Sequence, residues 1–173
     1  MTNTTNIRDE DLIHYIASEL NGCASFGAIV LNKVLYYSDN LHYLKFGRSI
    51  SSFKYVNRDF GPTPEPVEFF AAQRNLIKEG KIKEEIHNGI VRNKKKIVAL
   101  KPSSKQLFSA DELKTIDEVI ADFKTQTAYE LSVKSHAELG WQLTKVGEEI
   151  PFNAFLLNVP ELNEEDYIWA ADE

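Results

Sequence analysis

The chain is expected to form one α+β domain, mostly helical, with a small antiparallel hairpin, and three observations lead there. Apolar residues recur at helical spacing in five stretches, Lys81 to Leu100 alternates in the manner of strands, and Gly or Pro punctuates the joints between them. With 173 residues, 43% apolar, 27% charged and 11% aromatic, the chain is long enough to bury one core and has a globular composition. No internal repeat or long linker is visible, so residues 1–173 read as a single domain.

Residues 9 to 20 place Leu12, Ile13, Ile16, Ala17 and Leu20 on one face of a first helix. Asp9, Glu10 and Asp11 sit at its positive end, and Asn21-Gly22 stops it. A second helix is expected from Phe26 to Phe46, with Ser25 as N-cap and Gly47 as its close. Its opening turns, FGAIVL, are apolar on nearly every side, which marks a helix at the centre of the fold. Ile50 to Val56 reads as one short strand or extended arm. Phe60 to Pro66 forms an extended turn, because a residue before proline avoids the helical region. Pro66 or Pro64 then starts a third helix, with Val67, Phe69, Phe70, Leu76 and Ile77 read as its buried face and Gly80 as its stop.

Lys81 to Leu100 is the clearest β signal: a hairpin turning at Asn88-Gly89 in a two-residue type I′ turn, with Ile82, Glu84 and Ile86 on one face. Ser109 caps a fourth helix, Ala110 to about Thr125, built on Leu113, Ile116, Val119, Ile120 and Phe123. A fifth helix covers Ala128 to Leu139, and two short helical turns follow at Pro151 to Leu157 and Glu164 to Ala171.

Several classes fall away on composition. The longest apolar or glycine run, Phe26 to Leu31, is far short of the roughly 20 residues a bilayer requires. The opening MTNTTNIRDEDL has no apolar core, so no secretory signal is expected, and a cytoplasmic address follows. A single cysteine, Cys23, excludes an internal disulfide and a Cys-based zinc cage. A net charge of −6 argues against a general phosphate binder, since such affinity comes from Lys and Arg displacing counterions. The charge is uneven: Lys81 to Lys105 holds eight Lys or Arg against Glu84 and Glu85, whereas Glu161 to Glu173 holds six acids and no base.

Nucleotide-binding and hydrolase motifs are absent, and Cys23 at a helix mouth has no nucleophile signature around it. The second helix carries a polar stripe, Asn32, Tyr36, Asp39 and Tyr43, with His42 one turn from Asp39; Ser135, His136 and Trp141 follow later. Asp39, His42 and His136 are read chiefly as hydrogen-bonded groups that fix packing, with partner recognition and an acid/base or metal role as the alternatives. No catalytic residue, metal or cofactor is assigned. Asp39 is expected to be buried and hydrogen-bonded, so that Asp39→Ala lowers stability by about 1–3 kcal/mol. Three helices followed by a hairpin bearing Arg92, Lys94, Lys95 and Lys96 also match the order of a winged helix contacting nucleic acid. The third helix speaks against it, because Arg74 and Lys78 are opposed there by Glu68 and Glu79.

Leu35-Tyr36-Tyr37-Ser38-Asp39 with His42, Phe46-Gly47-Arg48-Ser49-Ile50, Tyr55 and Phe60-Gly61-Pro62 form one ordered set. Leu131 to His136, Trp141 and Ile150-Pro151-Phe152 continue it. Together they resemble the core of the Panacea antitoxin domain family, which includes SocA-like antitoxins and phage-associated GepA-like proteins. The resemblance runs from about residue 10 to about residue 157 and leaves 158–173 as an acidic tail. It implies a small cytoplasmic bacterial or prophage protein encoded beside a toxin, which it neutralises by direct contact. Some relatives instead deliver the toxin to a protease. The implied partner is a cognate protein toxin, with a protease or chaperone as a further one; nucleic acid enters only on the winged-helix alternative, and no membrane is implied. Carried over by position, the motif residues are Tyr36, Asp39, His42, Gly47, Tyr55, Gly61, Pro62, His136 and Trp141, as scaffold or as contact groups. Inhibition by binding requires no catalytic group, only a complementary surface with a few anchors. Tyr36, Tyr43, Tyr55, Phe60, Tyr167 and Trp169 are the candidate anchors.

Overall fold

The computed structural model describes residues 6–88 and 94–158. Within them the chain is a mostly helical α+β domain, 53% helix with two small antiparallel sheets. Helix α1 (Ile7–Glu19) starts at Asn6, whose side chain accepts from the Arg8 amide at 3.0 Å. The first-turn acids do more than face the dipole. Asp9 is buried and accepts from the Ser52 amide at 2.9 Å and from the Ser52 hydroxyl, which ties α1 to the loop after the second helix.

Helix α2 (Ala28–Phe46) runs through the centre, packing on α1 and on the later helices α4 and α5. It is buried on nearly every side from Val30 to Asn40, as its apolar opening indicated, but it begins at Ala28 with Gly27 as N-cap and no side-chain cap bond. Ser25 is therefore not the cap. Phe26 instead closes a turn, its amide donating to the Cys23 carbonyl at 3.1 Å, and buries its ring in the core. Gly47 ends α2 at φ 71, a left-handed conformation that a side chain resists, and its amide donates to the Tyr43 carbonyl at 2.8 Å.

The expected strand at 50–56 shrinks to β1 (Tyr55–Val56), because Ile50 to Phe53 wrap around a buried carboxylate instead. Strand β1 sits between β2 (Thr63–Pro64) and β5 (Glu149–Ile150), two short strands without a sequence signal. Helix α3 (Pro66–Lys78) has Pro66 at its first position and Glu65 as N-cap. Its buried stripe is Phe69, Ala72, Gln73 and Leu76, while Val67, Phe70 and Ile77 are exposed at 60%, 47% and 41%. The helical period decides this. Positions i, i+3, i+4 and i+7 from Phe69 face inward even when they hold Ala and Gln.

Strands β3 (Ile82–His87) and β4 (Lys94–Ala99) pair antiparallel from Ile82 opposite Ala99 to His87 opposite Lys94. A two-residue turn at Asn88-Gly89 would pair His87 with Ile90, so that expectation is corrected; residues 89–93 lie outside the described residues. The observed register sets buried Ile82 opposite Ala99, which packs against the core, whereas the tight turn would set it opposite Lys95. The hydrophobic pattern outweighs the turn signal.

Helix α4 (Ala110–Phe123) opens on the reciprocal bonds of a Ser109–Glu112 capping box. The single helix expected over Ala128 to Leu139 is two, α5 (Ala128–His136) and α6 (Leu139–Gln142). The break lies at Glu138, which is extended and accepts from the Tyr37 hydroxyl at 2.7 Å. A 3-10 helix, Phe152–Asn158, returns Phe152 and Phe155 to the core, where Tyr36 and Tyr37 meet Phe155 edge to face. The helical turn expected at Glu164 to Ala171 lies outside the described residues.

Candidate functional site

Asp39 is the centre of the motif set. It projects from the fourth turn of α2, is fully buried, and accepts from the amides of Ile50 and Ser51, each at 2.8 Å. The Ser51 hydroxyl also donates to it, as does the Tyr55 hydroxyl at 2.5 Å. Burial holds the Asp39 carboxyl above its usual range, and these donors offset only part of that push. Burial together with the facing carboxylate holds the Tyr55 hydroxyl well above its usual range. Asp39 thus nails the segment after α2 to the helix, as a bound anion would order a loop.

That segment carries the next link. Arg8 of α1 donates from Nε to the Ile50 carbonyl at 2.9 Å, from one terminal nitrogen to the Leu107 carbonyl at 2.5 Å, and from the other to Glu112 at 2.5 Å. Burial pushes the Glu112 carboxyl up, but the Ser109 amide and Arg8 together hold it below its usual range. One turn after Asp39, His42 is buried, with Nδ1 3.3 Å from the Thr115 hydroxyl of α4 and its ring against Phe46 at 4.5 Å. Burial holds its pKa below the usual value, so the ring is neutral at pH 7. Its Nε2 has no partner among the described residues. Over this assembly lies an open cleft of about 480 Å³, lined by Arg8, Arg48, Ser49, Ile50, Leu107 and Glu112 among others.

The later motif residues form a second knot. Gly61 has φ +91, and a Cβ there would strike the Ser135 hydroxyl and lie 2.8 Å from Lys33 Nζ. Lys33 itself is 1% exposed and donates to the Pro62 carbonyl at 2.9 Å, while Ser132 of α5 donates to the Phe60 carbonyl at 3.3 Å. Burial, with no acid bonded to it among the described residues, lowers the Lys33 pKa to about 7. His136 stacks on Trp141 at 4.1 Å, and Trp141 Nε1 donates to the Arg58 carbonyl at 3.1 Å. The turn before β2 is therefore clamped between α2 and the α5–α6 pair. Gly61→Ala is expected to lower stability by about 1–3 kcal/mol, read by urea unfolding, because it combines a left-handed backbone with a filled neighbourhood.

The structure thus brings Asp39 and Tyr55 together, sets His42 one turn away on separate partners, and gathers Gly61 and Pro62 with α5 while His136 and Trp141 pair beside them. Asp39, His42 and His136 do not share a site, and no group of three His, Cys, Asp or Glu among the described residues could hold a metal. As candidate anchors, Tyr36 and Tyr55 are corrected: each is 1% exposed and belongs to the aromatic core, where burial is worth more than contact. Tyr43 is half-buried on Phe152, and Phe60 is the one described anchor that is open, at 44%. Tyr167 and Trp169 lie outside the described residues, as does Arg92. Lys94, Lys95 and Lys96 lie on β4, with Lys95 paired to Glu84 at 3.5 Å.

Lys33, Arg8 and Ser51 were not read from the sequence. Lys33 had a signal, a cation within the mostly apolar opening turns of α2. Arg8 and Ser51 had none, since each acts on a partner more than ten residues away.

In this small helical domain the motif side chains tie loops to one central helix. The model of the SocA-like antitoxin, Panacea domain, matches residues 31–142, and the chain belongs to that family. No curated protein and no solved structure matches it. The family carries an antitoxin role and, with it, a partner toxin in general. Among the described residues no helix is long and apolar enough to cross a membrane.

Proposed function

We infer that this protein neutralises its partner toxin by direct protein–protein binding and performs no chemistry on it. The observation that carries this reading is the use made of Asp39 in the motif and of two cations beside it in the fold, Arg8 and Lys33. Asp39 holds four donors, Arg8 holds two carbonyls and a carboxylate, and Lys33 holds a carbonyl. Groups so engaged order a backbone; they do not turn over a substrate. Family membership supplies the class of partner. Binding requires roughly 1,200–2,000 Å² of complementary surface, and the domain leaves Phe46, Phe60, Phe70 and Tyr129 exposed to furnish it. The natural context is a bacterial or prophage toxin–antitoxin pair, with the toxin encoded in the adjoining open reading frame.

Co-expression tests the reading. The neighbouring gene product is expected to arrest growth alone, to be tolerated when this chain is co-expressed, and to co-purify with it. Absence of both rescue and complex would remove the proposal.

A further inference from the structure

The cleft above Asp39 is built more firmly than a chance surface depression. One wall is the Arg48–Ile50 segment, where the Ile50 amide is held by Asp39 and the Ile50 carbonyl by Arg8. The other wall is the approach to α4, held by Arg8 on the Leu107 carbonyl and on Glu112, which also closes the capping box. Arg8 and Glu112 are thereby used on each other, and their charges cancel.

One cation lining the cleft remains unused. Arg48 is exposed and makes no hydrogen bond or ion pair with any described residue. Its position is nonetheless set. Gly47 turns the chain out of α2 through its left-handed cap, and one residue further on the Ser49 hydroxyl donates to the Ser51 carbonyl at 2.7 Å. A guanidinium on a fixed backbone at the rim of a polar cleft is the arrangement that takes a carboxylate through two parallel hydrogen bonds. A nucleic acid is a poor fit, because phosphate-backbone binding draws on several cations. Among the described residues the cleft offers a single free one, on a chain of net charge −6.

We propose that the cleft lined by Arg48, Ser49 and Ile50 is a docking point for a carboxylate presented by the partner toxin. This rests on the direct-binding reading above and names one contact within it. Arg48 is exposed and unbonded, so replacing it leaves the fold intact, which circular dichroism and thermal melting of each variant verify.

The experiment measures the affinity of the purified full-length chain for the toxin by calorimetry. Arg48→Glu is expected to weaken binding by about 100-fold or more, and Arg48→Gln by about ten-fold, in keeping with loss of a charge-assisted bidentate contact. An Asp/Glu→Lys change in the toxin that restores binding to Arg48→Glu assigns the carboxylate to a side chain. Loss of binding on extending the toxin's C-terminus, and not on any such change, assigns it to the chain end. Wild-type affinity in Arg48→Glu would overturn the proposal while leaving the direct-binding reading in place. A toxin that does not bind the wild-type chain at all would overturn both.

Discussion

Asp39→Ala is expected to lower the unfolding free energy by about 3–5 kcal/mol, a large share of the roughly 5–15 kcal/mol a domain of this kind has. Removing the carboxylate leaves the amides of Ile50 and Ser51 and the hydroxyls of Ser51 and Tyr55 without their acceptor, all of them buried. Each buried donor left unsatisfied costs about 1–3 kcal/mol, and relaxation of the loop offsets part of the sum. The expectation exceeds the figure drawn from sequence because one acceptor serves several donors. Asp39→Asn should recover only part of the loss, since its amide nitrogen meets donors where an acceptor is required. Urea unfolding of the three proteins at pH 7 checks the ordering, wild type above Asn above Ala. An Asp39→Ala protein as stable as wild type would contradict the structural role assigned here.

Lys33→Met is expected to act in the opposite direction, stabilising the protein at pH 7 by about 2–4 kcal/mol. Among the described residues Lys33 is bonded to a backbone carbonyl and to no acid, and burial lowers its pKa to about 7. In the unfolded chain it keeps its proton up to about 10.4. Below pH 7 both states carry the proton, and the folded state bears the full penalty of a buried charge. As pH rises from 7 the folded state releases the proton while the unfolded state retains it. Stability therefore increases with pH, by up to about 1.4 kcal/mol per unit. Near pH 10 the trend meets an opposing one. Tyr15, Tyr36, Tyr37 and Tyr55 all have raised pKa values, and their contribution is lost once the unfolded tyrosines ionise. The window is thus pH 7 to 9. Over it, wild type should gain on Lys33→Met in parallel urea titrations, while every other titrating group cancels in the difference. A constant difference across those pH values would contradict the assignment.

Much of the fold was legible because it rests on local chemistry. The Ser109 cap, the Gly47 stop and the proline start of α3 are read from single residues whose backbone preferences are strong. The helical period placed the core faces of α1 and α4. Errors arose where a distant partner decides. The turn signal at Asn88-Gly89 yields to the burial of Ile82 opposite Ala99, and the strand-like Ile50 to Phe53 segment bends around Asp39. On α3 the inward stripe holds Ala72 and Gln73, so a count of large apolar residues misplaces Phe70. At the site, the motif named Asp39, His42, Gly61 and His136, and the structure shows what each holds. It did not name Arg8 or Lys33, whose partners are Glu112 and Pro62, because nothing in a linear chain marks which backbone carbonyl will need a cation.

The central claim is that this domain acts by covering its partner and not by transforming it. Titrating purified toxin, at a concentration far above the dissociation constant, with increasing amounts of the full-length chain tests that claim most directly. Residual toxicity should fall in a straight line and reach zero at a fixed molar ratio of the two proteins, unchanged by longer incubation. Toxin that continues to be inactivated with time by a small fraction of one equivalent would contradict the account.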